Sequence, residues 1–245
     1  MTVKNDAELA AQLAAAAGSI LLDIRDAGLI DGKALGKAGD KTANVFLMNA
    51  LAHQRPDDKV LSEESTDDKS RLDASRVWII DPVDGTREYG EARADWAVHV
   101  GLAVDGVASV GAVALPGMEL VLRSDAPPAL QPLNDPPRML VSRTRPAAEA
   151  VAVAKAIGAE LLPMGSAGAK AMAVVRGEAD IYLHTGGQYE WDSCAPVAVA
   201  QAAGLHVTRV DGSPMRYNRA DTYLPDLLIC RKELADEVVA AIRAL

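Results

Sequence analysis

Aromatic side chains are scarce, 4% of 245 residues with Phe46 the sole phenylalanine. A core must therefore be built from Ala, Val, Leu and Ile, and few rings are on offer for stacking a nucleic-acid strand. Cationic side chains are also in deficit: Lys and Arg number 25 against 34 Asp and Glu, a net charge of −9. Such a chain repels polyanions, which argues against a nucleic-acid polymer or an anionic membrane as partner. An anionic small-molecule substrate would need a cation between it and the protein. Only two cysteines occur, Cys194 and Cys230, neither in a CxxC pair. That excludes a disulfide framework and a four-ligand zinc site, and the two read as reduced thiols of an intracellular core. A membrane-spanning run is lacking too. The uncharged stretch 9–22 is short for a bilayer and follows Asp6 and Glu8 rather than basic residues. Its apolar positions (Leu9, Leu13, Ile20, Leu21, Ile24) recur at helical spacing instead. The sequence predicts a soluble, cytoplasmic protein with no membrane partner.

Hydrophobic residues make up 49% and charged residues 24% of the chain, a globular composition. Asp6 can cap a helix to about residue 26, and a second helix is expected over 42–54. Residues 60–61 form a short extended piece before SEESTDD. The apolar run VWII, 77–80, is a buried strand that should stop at Asp81-Pro82. Strands over 96–104, 107–115 and 119–123, separated by Asp105-Gly106 and Pro116-Gly117, read as a β-meander. The proline-rich stretch 124–137 divides this part from an alternation of strands (139–141, 161–162, 181–183, 205–210, 227–230) and helices (146–157, 167–176, 193–203, 232–245). Two subdomains are expected: 1–130, α+β, with Glu63 and DPVDGT, and 131–245, α/β, with the GSAG helix and the WD motif.

The chemistry concentrates in WIIDPVDGTREY, residues 78–89. A buried strand delivers Asp81 and Asp84 across a proline turn, and Pro82 fixes the direction of the Val83 carbonyl. Two carboxylates and a carbonyl are hard oxygen ligands suited to Mg²⁺. Gly85 and Thr86 add N–H groups and a hydroxyl where a phosphate or water could sit. An ordinary Asp-Pro/Asp-Gly turn at a strand end would carry the same residues. Glu63 and Glu64 form a second acidic cluster, which could equally be a solvated helix start. Asp192, in EWDS, caps the following helix or turns an oxygen to a metal. Gly165-Ser166-Ala167-Gly168 opens another helix, either simply capped or an anion site.

Taken together, the order Glu-Glu, DPVDGT, GSAGAKAMAVVRGEAD and WDSCAP resembles the inositol monophosphatase superfamily of Mg²⁺-dependent, lithium-inhibited phosphatases, over nearly the whole chain. VLSEE, DGTREY, VSRTRP and HTGGQYEWD are most similar to its CysQ-type branch, 3′(2′),5′-bisphosphate nucleotidases of sulfate assimilation. The resemblance implies a layered αβαβα sandwich, an α/β (α+β) fold of the sugar-phosphatase type, with the site between the two parts. It implies hydrolysis of adenosine 3′,5′-bisphosphate (PAP) to AMP and phosphate, with PAPS a further substrate and two or three Mg²⁺ per site. Glu63, Asp81, the Val83 carbonyl, Asp84 and Asp192 would be the metal ligands, with Glu64 behind them or on a weaker third ion. Thr86 would orient the attacking water. Relatives are often homodimers.

The stretch KAGDKTAN departs from the acidic segment that activates the threonine–water pair in many relatives, and Asp40 is its nearest carboxylate. His184 stands where inositol phosphatases place a glutamate, and could contact a nucleotide. Ser142 and Arg143 after the VS strand, and Lys170 in the GSAGAK helix, could meet the second phosphate or the ribose edge. Together with Gly85, Thr86, Gly165, Ser166 and Asp192 they complete the expected substrate contacts. His53, His99 and His206 read as structural. Inositol 1-phosphate and fructose 1,6-bisphosphate are rival substrates, and a metal or nucleotide sensor without turnover is the rival from another class.

Overall fold

The computed structural model describes residues 5–245. The first helix, α1 (Asp6–Asp26), is capped one residue earlier than expected: Asn5 accepts from the Glu8 N–H at 2.8 Å, while the Glu8 carboxylate takes the Asn5 N–H. By length and composition alone this helix could cross a membrane. Here Leu9, Leu13, Ala14, Ala17 and Leu21 pack against the first sheet. Helix α2 (Gly32–Gln54) begins ten residues before the expected start. Gly36 and Gly39 look like helix breakers in the sequence. They lie on the buried face with Leu35, Ala43, Leu47 and Leu51, where the helix crosses its neighbours too closely for side chains.

Strand β1 (Lys59–Ser62) runs parallel to β2 (Arg76–Asp84). Strand β2 does not stop at Asp81-Pro82: it continues to Asp84 through a register shift between Asp81 and Asp84. A bulge accommodates a proline, which has no ladder N–H to give. The short α3 (Thr86–Gly90) follows, then β3 (Ala97–Val104), β4 (Val107–Leu115) and β5 (Leu120–Arg123), the expected meander. The sheet order is β1-β2-β3-β4-β5.

The second half supplies β6 (Arg138–Ser142), α4 (Ala148–Ala156), β7 (Glu160–Met164), α5 (Ala167–Val175), β8 (Ile181–His184) and β9 (Gln188–Tyr189). After these come α6 (Glu190–Ala202), β10 (His206–Thr208), β11 (Tyr223–Leu224), β12 (Leu227–Cys230) and α7 (Ala235–Arg243). The second sheet has the order β10-β12-β8-β6-β7, and β9 and β11 form a separate ribbon. Helix α6 starts three residues before the expected position. Asp192 is therefore not its N-cap but its third residue, and Tyr189 takes the cap position.

Strand β2 shows how the layers arise. Trp78 and Ile80 join the cluster under α1 and α2, while Val77 and Ile79 join the cluster containing α5 and α6. A strand buried on both faces needs apolar residues at every position, and VWII provides them. On the outer face of the second sheet, α4 and α7 cover Met139, Ile181, Leu183 and Leu228. The five layers are α1/α2, first sheet, α5/α6, second sheet and α4/α7, the sandwich that the sequence motifs imply. Cys194 and Cys230 are free and buried.

Candidate active site

Three carboxylates converge where the layers meet. Asp81 and Asp84 at the end of β2, and Asp192 in the first turn of α6, bring ligand oxygens within 4.8 Å of one another. The Asp81 carboxylate accepts from the Val83 N–H at 3.0 Å, within the bulge. Asp192 accepts from the Tyr189 N–H at 2.6 Å, leaving its other oxygen free of that bond. Glu63, just after β1, lies outside this compact trio, but its charge acts on Asp81 and theirs on it. Asn44 holds this segment in place: it accepts from Ser62 Oγ at 2.7 Å and donates to Ser65 Oγ at 3.1 Å.

Asp84 is bound on nearly every side. It accepts from Ser166 Oγ at 2.5 Å, the Ala167 N–H at 3.1 Å and the Gly168 N–H at 2.6 Å, and it faces His99 Nε2 at 3.2 Å. The N-terminus of α5, by sequence either simply capped or an anion site, is capped by Ser166 and also receives a carboxylate of the chain itself. His99 is fully buried, and its Nδ1 lies 3.0 Å from the Trp191 carbonyl. Both neighbours are acceptors, and although burial alone would lower it, the Asp84 carboxylate raises the imidazole above its ordinary range, so His99 pairs with the β2 turn on one side and the start of α6 on the other. The sequence left His99 among structural histidines. Its only signal was its place on the strand beside β2, where it pairs in register with Asp81.

Thr86 Oγ1 stands 3.1 Å from the Val83 carbonyl and 3.4 Å from Asp40 Oδ1. Thr86 and Asp40, with Glu64, line a cavity of about 510 Å³. Gly85 precedes α3 in the left-handed region, at φ 88°. Other expected contacts are already engaged. Arg143 pairs with Glu88 and Glu91, each at 2.8 Å. Lys170 is buried, donating to the Ser166 carbonyl at 2.5 Å, with its ammonium 5.3 Å from the Tyr182 ring centre. Ser142 Oγ accepts from the Arg145 N–H, Gly165 N–H donates to Asp95 at 2.7 Å, and His184 Nε2 lies 2.9 Å from the Gly187 carbonyl. The arrangement therefore spends Arg143 and Lys170 on bracing the loops rather than leaving them open to a second phosphate.

The electrostatics fit a multivalent cation. Burial, then the charges of Glu63, Asp84 and Asp192, push the Asp81 carboxyl well above its ordinary range. Burial and Asp84 raise Asp192 to about 6, burial and Asp192 raise Glu63 to about 7, and burial and Glu64 raise Asp40 to about 7. Asp84 runs the other way: burial alone would raise it, but His99, Ser166 and the Gly168 N–H hold it below the usual range. Groups so raised bind protons more tightly folded than unfolded, so stability falls as pH climbs from the ordinary carboxylate range through about 7. The stabilisation from Asp84 is present above its unfolded pKa and is lost only in strong acid. The expected outcome for metal-free protein is a melting temperature roughly 5–10 °C lower at pH 8 than at pH 5, from on the order of 1–2 kcal/mol per buried carboxyl, with less from water-exposed Glu63. A divalent cation at ~100 times its Kd should return about 2.7 kcal/mol at pH 8 and have little effect at pH 5. A flat melting temperature across this range, metal or no metal, would remove the argument for cation binding.

Against known proteins, residues 3–127 and 137–245 match the model of the inositol monophosphatase family. The 3′-phosphoadenosine 5′-phosphate phosphatase of Mycobacterium leprae is 50% identical over 253 residues, 97% of this chain and 93% of that one. The CysQ nucleotidase of Escherichia coli K12 is 29% identical over 199 residues, covering 76% and 81% of the two chains. Among solved structures, CysQ of Bacteroides thetaiotaomicron superposes with a TM-score of 0.80 at 23% identity, over 93% of this chain and 97% of the other. The inositol monophosphatase of Anabaena gives 0.77 at 22% identity, over 98% and 95%. Converging carboxylates, layered fold and matched sequence agree: the chain belongs to the inositol monophosphatase family.

Proposed function

We propose that the protein is a Mg²⁺-dependent phosphatase that removes the 3′-phosphate of PAP, giving AMP and inorganic phosphate, with PAPS a further substrate. The observation that carries the reading is the convergence of Asp81, Asp84 and Asp192, with Thr86, bonded to Asp40, two residues after Asp84, in a chain half identical to a named PAP phosphatase. Asp81, Asp84, Asp192, Glu63 and the Val83 carbonyl would hold the metal, with Glu64 on its outer side. Bound Mg²⁺ would neutralise phosphoryl oxygens and acidify a nearby water. The chain's own residues do the rest. Thr86 donates its hydroxyl hydrogen to Asp40 or Val83, so its lone pairs face outward and can accept a hydrogen from the attacking water. Asp40, raised to about 7, is suited to take a proton near neutrality. Water oxygen bonds to phosphorus, the P–O3′ bond breaks, and the leaving 3′-oxygen takes up a proton.

Phosphate release from PAP, inositol 1-phosphate and fructose 1,6-bisphosphate, each with Mg²⁺, with EDTA and with added Li⁺, tests this reading. PAP should be favoured by tenfold or more, about 1.4 kcal/mol of transition-state binding, and EDTA should abolish release. Thr86→Ala should lower kcat by ~10²-fold or more while the fold is kept. A preference for either sugar phosphate would keep the chemistry and replace the substrate. No release from a folded, Mg²⁺-bound protein would leave a sensor.

A further inference from the structure

We infer that Lys33, Lys37 and Arg87 form a subsite for a second phosphate, on the wall of the cavity that contains Thr86. The inference deepens the phosphatase reading and rests on it, because it says which end group of a bisphosphate the cavity holds. The six charged groups on this cavity are Lys33, Lys37, Arg87, Asp40, Glu64 and Glu91. Asp40 and Glu64 belong to the acidic side of the site, where the charge of Glu64 acts on Asp40. Glu91 is paired with Arg143 at 2.8 Å, a cation it shares with Glu88. The three cations have no acidic partner within ion-pair distance among the described residues. In a chain of net charge −9, three unpaired cations around one cavity form a local site for a dianion.

Their placement suits a ligand whose other phosphate lies at Thr86. Lys33, Lys37 and Asp40 are at i, i+4 and i+7 on one face of α2. At a rise of about 1.5 Å per residue, Lys37 and Lys33 stand roughly 4.5 and 10 Å along the axis from Asp40. Arg87 follows Thr86 directly in α3. The wall is also fixed. A Cβ on Gly36 would sit 2.6 Å from Thr86 Cγ2, and one on Gly90 would sit 2.5 Å from the Gly32 carbonyl oxygen. Helices α2 and α3 are therefore closely docked, and the backbone that carries the cations is fixed relative to Thr86. The volume of about 510 Å³ is that of a small-molecule site. In PAP the second group is the 5′-phosphate, which AMP keeps after hydrolysis.

The test compares PAP with 3′-AMP, which lacks the 5′-phosphate, in the unaltered chain and in the variant Lys33→Gln/Lys37→Gln/Arg87→Gln. The ratio of kcat/KM for PAP over 3′-AMP should fall by about 30-fold, chiefly through KM, from three partly screened charge contacts. Lys37→Arg alone should keep the ratio. Titration calorimetry of AMP and adenosine with Mg²⁺ present reads the same subsite without turnover. AMP should bind the unaltered chain more tightly than adenosine, and the triple variant should lose that preference. A ratio within twofold of the original, or an AMP preference that survives the triple substitution, overturns the subsite. If the unaltered chain does not hydrolyse PAP, the phosphatase reading falls, and the AMP preference alone decides the subsite. Absence of AMP binding to the unaltered chain overturns it as well.

Discussion

Asp84→Asn is expected to lower kcat/KM for phosphate release by at least ~10³-fold, about 4 kcal/mol of transition-state stabilisation, and to destabilise the fold as well. The carboxylate meets donors only: Ser166 Oγ, two N–H groups at the head of α5, and His99 Nε2. An amide in its place must turn an NH₂ toward one of those donors, and it leaves the fully buried His99 without its counter-ion. Removing one partner of a buried ion pair costs roughly 3–5 kcal/mol. Asp81→Asn should behave oppositely in stability. Asp81 is crowded by Glu63, Asp84 and Asp192, and from the backbone it accepts the Val83 N–H. A neutral isostere there relieves repulsion, so metal-free Asp81→Asn should melt higher than the unaltered chain at pH 8 while losing activity to a similar degree. Thermal melts of both metal-free variants, beside their kinetics, check this. If the two variants shift stability in the same direction, the division of the trio into one satisfied and one strained carboxylate is wrong.

Much of this site is legible in the sequence because its carboxylates sit at the ends of strongly patterned elements. The VWII strand can only be buried, and whatever follows it must emerge at the layer boundary. The positions that sequence reasoning misplaced share a physical cause. The first ten residues of α2, with the Lys33 and Lys37 face, were missed: they contain Gly36 and Gly39, poor helix formers by propensity, and the close helix approach that accommodates them is a tertiary fact. Pro82 read as a strand end because the bulge that tolerates it depends on β3. Asp192 read as a cap because any acid before an apolar run does, although Tyr189 holds that place. Arg143 and Lys170 read as free cations because nothing local to them reveals Glu88, Glu91 or the two carbonyls of the GSAG turn. His99 carries no motif at all, and only the meeting of β3 with the end of β2 and the start of α6 gives it Asp84 and Trp191.

Gly168→Ala carries the second large effect, and its sign runs against local propensity. Gly168 lies inside α5, where alanine ordinarily gains about 1 kcal/mol over glycine. Here a Cβ would fall within the contact radius of His99 Nε2, the atom that faces Asp84. His99 cannot retreat, since it is fully buried and its other nitrogen meets the Trp191 carbonyl. Overpacking of this kind costs typically 1–3 kcal/mol, and the added methyl also parts His99 from Asp84. A net destabilisation of roughly 2–4 kcal/mol is expected, with kcat/KM lower by ~10²-fold or more as Asp84 moves relative to Asp192. A double-mutant cycle identifies the cause. If His99 is what the methyl strikes, Gly168→Ala should cost far less in a His99→Ser background, with a coupling of at least ~1 kcal/mol. Equal costs in both backgrounds would mean that Gly168 matters to α5 for some reason other than His99, and would leave the link between the two carboxylate-bearing turns without support.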